Sequence, residues 1–520
     1  MKRAFLAGAL VSLIFAMQAG AASPEDAGRR IAEQGTRHGV APCASCHGPD
    51  GGGNAGAGYP RIAGLDAGYL AKQLRDLASG RRDSAVMHAM AMHLSDGEIA
   101  TVAGYYAGLP PPSPSAAPPE GSVAQTASGL IAWGDWSQRR LPACAGCHGP
   151  DGNGVGAYFP GLAGQQASYL EAQLKAWRDG RRANDPLGLM RTVAAQLSDA
   201  EIQALAAYYA ALPPGRATPA PKAPDQALIA KAEKASAVSA SKPAPIGFRP
   251  PARDAMPSGP LGELVKKGQA IFLETNRHPA SAEYVGNRLA CVHCHLDAGR
   301  LAGAAPLWAA WVAYPAYRSK TERVEGFADR LQGCFAYSLN AEGSSTGAPP
   351  PSDSEPIRAL AAYGFWLAQG APTGETRLPG RGYAPLKETS RGFDPKRGEQ
   401  VYAARCALCH GSDGAGVVRA KGQVVFPPLW GPESYNWGAG MHAIDTAAAF
   451  IKANMPFGIG GALTDQEAWD VAAFVDAHQR PQDPRFNGDL QETAERFHAS
   501  RFSLYGKVDG PDGRLLGDMD

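Results

Sequence analysis

Four copies of the pattern C-x-x-C-H constrain this chain more than any other feature. They are Cys43/Cys46/His47, Cys144/Cys147/His148, Cys291/Cys294/His295 and Cys406/Cys409/His410. Two thiols three positions apart on a tight turn can each add to one vinyl group of a haem. The histidine that follows then offers an imidazole nitrogen to the iron as proximal ligand. Nine cysteines would otherwise suggest disulfides, but eight of them fall in these motifs. Zinc binding or a redox-active thiol pair would not require histidine after every second cysteine. The reading is four covalently bound c-type haems, and it also solves a size problem. A buried porphyrin adds apolar surface to units of roughly 80–100 residues that could not fill a core alone.

A length of 520 residues calls for several such units. The chain opens with Lys2 and Arg3, an apolar run from Ala4 to Ala16, and Ala19-Gly20-Ala21. That order reads as a signal peptide over 1–21, and the run is shorter than the ~20 residues of a membrane span. No later stretch is long and apolar enough to span, so the expectation is a soluble, exported, periplasmic protein. Lys and Arg total 50 against 49 Asp and Glu, with no basic tract. Nucleic-acid binding is therefore not expected, and any anion site must be local.

Internal comparison divides the chain further. Cys43-Ala-Ser-Cys-His-Gly-Pro-Asp-Gly repeats as Cys144-Ala-Gly-Cys-His-Gly-Pro-Asp-Gly. Tyr69-Leu70, Gln73-Leu74 and Gly80-Arg81-Arg82 repeat as Tyr169-Leu170, Gln173-Leu174 and Gly180-Arg181-Arg182. Each unit closes on a helix-start signal: Ser95/Glu98, Ser198/Glu201, Ser352/Glu355 and Thr464/Glu467, each ahead of apolar residues at helical spacing. The expected fold is all-α: four class-I-like cytochrome c domains over 22–110, 120–213, 255–370 and 390–485. An Ala/Pro/Lys-rich linker (214–254) separates two dihaem halves, and a polar tail covers 486–520.

The iron's sixth ligand is read from register. Met87, Met190 and Met455 each sit just before a closing helix in units one, two and four. Met/His ligation raises the reduction potential, which suits an electron carrier. Met90, Met92, His88 and His93 crowd the same loop as Met87, and Met441 competes out of register with Met455. Unit three has no methionine and no further histidine between His295 and its closing helix, but it holds the ninth cysteine, Cys334. A thiolate there gives His/Cys ligation, a lower potential and a sulfur nucleophile inside a haem pocket. Arg318, Lys320, Arg323 and Arg330 precede it. They are either a solvated face or a pocket for a small oxyanion, and spacing leaves both open.

Residues 255–490 carry a resemblance. Leu289-Ala-Cys-Val-His-Cys-His-Leu-Asp-Ala-Gly, Tyr314-Pro-Ala-Tyr-Arg, Arg330-Leu-Gln-Gly-Cys, Phe426-Pro-Pro-Leu-Trp-Gly-Pro and Arg480-Pro-Gln-Asp-Pro-Arg resemble the dihaem thiosulfate dehydrogenases that form tetrathionate. Residues 23–215 resemble dihaem cytochromes of the c-four type, which in that context act as electron acceptor. The resemblance implies an acceptor cytochrome fused ahead of its dehydrogenase. In it, His295 and Cys334 ligate the catalytic haem, and His410 and Met455 ligate the second. Arg330 lies near substrate, with Arg318 or Lys320 at the other basic position. It further implies that Cys334 bonds to the sulfane sulfur of thiosulfate, and that electrons pass to the N-terminal haems. The downstream acceptor would be a small cytochrome, a high-potential iron–sulfur protein or a terminal oxidase. Some relatives exchange a lysine with the methionine ligand, but that position is Asn454 here. Two other readings stay open: a multihaem electron carrier with Cys334 as a structural ligand, and an enzyme joining thiosulfate to a carrier-protein cysteine.

Overall fold

The computed structural model describes residues 23–114, 116–219, 227, 247–375 and 377–518. The expected signal peptide and most of the expected linker lie outside the described residues.

All four units are built alike. A helix ahead of the haem motif crosses the closing helix: Pro24–Gln34 on Asp96–Gly108, Gly121–Ala132 on Asp199–Ala211, Gly259–Glu274 on Glu355–Leu367, and Pro395–Arg405 on Asp465–Asp476. Two of these crossings bring backbone onto backbone at a glycine. A Cβ at Gly268 or Gly398 would sit 2.0 Å from the carbonyl oxygen of Ala359 or Asp470. Any side chain there would force the helices apart. The fold is helical, with two short antiparallel hairpins among the described residues, Ala316–Arg318 with Arg323–Glu325 and Val417–Val418 with Val424–Phe426.

Three closing helices start as the sequence implies. Ser95/Glu98, Ser198/Glu201 and Thr464/Glu467 each make both reciprocal bonds of a capping box. Unit three departs from this. Its helix begins at Glu355 with Ser354 as N-cap and Pro356 in the first turn, so Ser352 caps nothing. Proline presets φ and has no N–H to satisfy, which removes the need for a box.

The residues that mark the repeat turn out to join units one and two. Arg82 donates to Gln73 Oε1 (2.9 Å), Tyr169 Oη (2.6 Å) and Gln173 Oε1 (3.0 Å). Arg182 reciprocates to Gln173 Oε1 (2.6 Å) and Gln73 Oε1 (3.1 Å). Arg61 and Gln165 exchange two further bonds, at 3.0 and 2.9 Å. Buried polar groups satisfied across an interface fix its register, because a slip would strand each of them.

Unit two then rests on unit four through Val155, Phe159, Leu187, Leu408, Phe426 and Ile459. Arg419 pairs with Asp151 on the rim. Unit four in turn holds unit three. Asn287 donates to Ser434 O (3.0 Å) and Asn436 to Ala336 O (2.9 Å).

In the segment 486–520, read above as a polar tail, the described residues form the helix Leu490–Phe497 and send Ala494, Leu504, Tyr505 and Leu516 into the unit-four core. His498 anchors this segment. Its Nε2–H donates to Asp483 Oδ2 (2.9 Å), Ser503 Oγ lies 3.1 Å from Nδ1, and both His498 and Asp483 side chains are 0% exposed. The Arg485 and His498 bonds outweigh burial and hold the Asp483 carboxyl far below the usual range. His498→Ala would leave a buried carboxylate short of a donor. We expect a stability loss of about 2–4 kcal/mol, measured by denaturant unfolding of the haem-loaded protein.

Candidate active site

The proximal side of each unit is set by one local device. His47 and His148 place Nδ1 2.9 Å from the carbonyls of Pro60 and Pro160, and His410 does the same with Pro427. His295 uses Ala305 O at 2.6 Å. A carbonyl only accepts, so Nδ1 carries the proton and Nε2 keeps its lone pair for a metal.

The space in front of these nitrogens fits a porphyrin. In units one and two it is a cavity of about 1020 Å³, lined by both cysteine pairs, His47, His148, Met87 and Met190. Trp177 lines it too, and its buried indole N–H finds no acceptor among the described residues, as a haem carboxylate would provide. In the second half, the buried donors Trp437 Nε1 and Arg480 Nη1 are likewise without a partner among the described residues.

The crowded loop of unit one is partly resolved. His88 Nδ1 is tied to Leu77 O at 2.8 Å, Met92 is 53% exposed and His93 is exposed. Met87 and Met90 both line the cavity. Met455 caps the helix Ile444–Asn454 and packs beside Trp136, Phe450 and Phe457, while Met441 lies among three apolar clusters. Asn454 is 3% exposed and its amide donates to Phe450 O at 3.1 Å, so it is committed to the backbone.

Cys334 sits where the helix Phe327–Gly333 widens into a π-turn, Cys334–Ser338. Such a turn leaves carbonyls without their usual partners. Loops on either side of it bond these carbonyls. Asn287 donates to Ser338 O (2.9 Å), Asn436 Nδ2 to Ala336 O (2.9 Å), and the Asn436 N–H to Tyr337 O (3.3 Å). The cysteine-bearing turn is thus braced partly by the neighbouring unit.

Arg330 lies four residues before Cys334, on the same helix face. The sulfur is the largest influence raising the Arg330 pKa, and it also raises the buried thiols of Cys291 and Cys294. The ninth cysteine therefore faces the same space as the unit-three haem motif.

The four cations singled out in sequence separate here. Arg323 is 60% exposed and paired with Glu325 and Asp329, so it is a solvated surface charge. Arg318, half-buried on the Ala316–Arg318 strand, and Arg330 make no side-chain hydrogen bond or ion pair among the described residues. Tyr314 feels Arg330, Arg318 and Cys334 together, which puts them in one neighbourhood. Lys320 donates to Gly438 O and lies 3.6 Å over the Tyr337 ring. Burial, then Arg485, push its pKa down to about 7, with Arg330 and Arg318 adding to the shift.

Sequence reasoning passed over Tyr383. It comes from the segment joining units three and four and stacks edge-on against Phe450 at 5.3 Å. Burial raises its pKa strongly, and the charges of Cys294, Arg330 and Cys334 all reach it. A lone aromatic among glycines and arginines was its only signal. Arg318 and Arg330, whose side chains make no ion pair among the described residues, gather near Cys334 and offer positive charge to a small anion there.

Comparison with known proteins places this geometry in context. Residues 32–109 and 140–213 match the cytochrome c family profile, and 393–475 match that of cytochrome C oxidase, cbb3-type, subunit III. The chain is 51% identical over 272 residues to thiosulfate dehydrogenase of Stutzerimonas stutzeri (strain A1501), covering 52% of this chain and 85% of that one. It is also 51% identical over 174 residues to the thiosulfate dehydrogenase electron acceptor of Thiomonas intermedia (strain K12), or 34% of this chain and 80% of that one. The solved structure of thiosulfate dehydrogenase (TsdBA) from Marichromatium purpuratum, in its as-isolated form, superposes with a TM-score of 0.84 at 51% identity. It covers 95% of this chain and 99% of that one.

Proposed function

Because the chain belongs to the thiosulfate dehydrogenase family, we propose that it oxidises thiosulfate to tetrathionate in the periplasm and carries its own electron acceptor in units one and two. The observation supporting this most directly is the pair of guanidiniums near Cys334, Arg318 and Arg330, whose side chains make no hydrogen bond or ion pair among the described residues.

Four haem c groups would be held by the eight motif cysteines together with His47 and Met87, His148 and Met190, His295 and Cys334, and His410 and Met455. When bound they would supply one-electron redox chemistry, the sink for the two electrons that leave sulfur. The protein's own part is electrostatic and nucleophilic. Two thiosulfate dianions repel each other, and Arg330 with Arg318 or Lys320 offsets that repulsion by binding their oxygens. The Cys334 thiolate and the sulfane sulfur of one thiosulfate form an S–S bond as two electrons leave. The sulfane sulfur of a second thiosulfate then attacks the substrate sulfur of that bond. Tetrathionate departs and Cys334 is again a thiolate.

Mixing the four-haem protein with thiosulfate and ferricyanide tests this. Two ferricyanides should be reduced for each tetrathionate formed. Absence of thiosulfate-dependent reduction would favour the pure electron carrier, and a requirement for an added carrier protein would favour thiosulfate transfer to its cysteine.

Lys320 adds a pH signature. Its folded pKa of about 7 lies below the ordinary 10.5, so it is charged below that pH and neutral above it. Attraction for the dianion should fade as pH rises through about 7. We expect kcat/KM to fall roughly tenfold, equivalent to about 1.4 kcal/mol, and Lys320→Arg, charged throughout, to flatten the profile.

A further inference from the structure

We propose that electrons leave the protein through unit one, where Ala41, Ser45, the loop Asn54–Gly58 and Val86 form a docking face for a small soluble monohaem c-type cytochrome. The inference rests on the functional reading only for the source of the electrons.

The argument is an internal comparison. Because units one and two repeat each other, Ala41, Ser45, Asn54 and Val86 each have a counterpart in unit two, and there unit four covers it. The counterpart of Ala41 is Pro142, buried within 3.1 Å of where a Cβ on Gly458 would stand. The counterpart of Ser45 is Gly146, whose Cβ would meet the Phe457 ring at 3.2 Å. Asn54 and Val86 correspond to Val155, 2% exposed, and Leu189, both packed in the apolar seam with Leu408 and Ile459. On unit one, Ala41, Ser45 and Asn54 are exposed and Val86 is 58% exposed, with no cover among the described residues.

What unit four brings to that seam identifies the occupant. Leu408 and Cys409 belong to its haem-attachment motif, and Cys147 of unit two packs against the same cluster. A c-type cytochrome meeting another at the attachment edge is therefore a geometry this protein already uses. The unit-one copy of the surface suits a partner that comes and goes. The bridge pair Val155/Phe159 of unit two is Asn54/Tyr59 in unit one, which exchanges permanent apolar contact for a wettable one. Ala55, Gly56, Ala57 and Gly58 are all exposed and line the haem-sized cavity. With no side chain beyond a methyl, this loop lets a partner's edge come close, and electron transfer weakens steeply with distance. The face residues carry no charge, so association should run at an unsteered rate of about 10⁵–10⁶ M⁻¹s⁻¹ with weak salt dependence.

The test uses the full four-haem protein reduced with dithionite, so thiosulfate chemistry is not involved. It is mixed with oxidised monohaem cytochrome c in a stopped-flow instrument, and binding is read separately from chemical shifts of the ¹⁵N-labelled cytochrome. Ser45→Glu and Val86→Glu should each lower the second-order rate at least tenfold and abolish the shifts. Val123→Glu, at a site 44% exposed elsewhere on the chain, should change neither. Wild-type rates and shifts in both face variants would overturn the proposal. So would a loss confined to a high-potential iron–sulfur protein used as acceptor. Failure of thiosulfate to reduce the protein would instead strike the enzyme reading and leave the docking face standing.

Discussion

Cys334→Ala should abolish thiosulfate turnover while leaving the content of covalently attached haem unchanged. Haem attachment needs only the motif cysteines, and position 334 lies outside every C-x-x-C-H. Turnover, on the reading above, needs the sulfur twice, as the axial partner of His295 in unit three and as the atom that bonds substrate. Removing a nucleophile that forms a covalent intermediate typically costs about 10³-fold or more in kcat. The haem content, taken from the pyridine haemochrome, should be unchanged. The EPR spectrum of the oxidised protein should lose its thiolate-ligated species. Turnover within about tenfold of the parent would end the covalent step, and the carrier reading would then be preferred.

Arg330→Gln should have the next largest effect. The guanidinium stands one helical turn from Cys334 and makes no ion pair among the described residues, and the sulfur is what most strongly raises its pKa. At about 5 Å and an effective dielectric of about 20, one unit charge contributes about 3 kcal/mol toward a neighbouring anion. Losing it should lower kcat/KM by about 10²- to 10³-fold, with Arg330→Lys recovering part of the loss because it restores charge without the two-pronged donor. Arg323→Gln is the control. That residue is 60% exposed and already neutralised by Glu325 and Asp329. Exposed pairs of this kind contribute about 0–1 kcal/mol, so its kinetics should stay near the parent's. Equal effects at 330 and 323 would mean that the cationic run is only a solvated face.

These two arginines also mark how far sequence reasoning reached into the site. The run Arg318, Lys320, Arg323, Arg330 was visible, but its inward and outward members were not. Arg318 and Arg323 stand opposite each other on one hairpin, yet the charge of Arg318 reaches Tyr314 while Arg323 is 60% exposed, and that difference depends on where unit three packs. Tyr383 was harder still. It feels the charge of Cys334 from a segment that reads as a connector, and its ring is held by Phe450 of the next unit and the cluster around Leu296 and Leu301. The brace of the π-turn, Asn436, comes from a loop about a hundred positions away. A similar lesson holds for the fold. The polar composition after Arg485 suggested a tail, yet Tyr505 and Leu516 are fully buried. Spaced apolar residues within a polar segment become a core only against the Trp437 and Ala472 surface that receives them.

What the amino-acid order decided alone was everything whose physics is local. Thioether attachment needs two cysteines and a histidine within one turn, and a capping box needs two residues three apart. The sixth-ligand candidates follow from register with those helices. Tertiary structure decided the rest: which charges keep their water, which units touch, and which repeat is covered by unit four and which is left open. Solvation and contact depend on residues distant along the chain, and no short pattern records which distant surface will arrive. That is why Val86 and Leu189, equivalent in sequence, end differently, the first 58% exposed and the second half-buried against the seam with unit four.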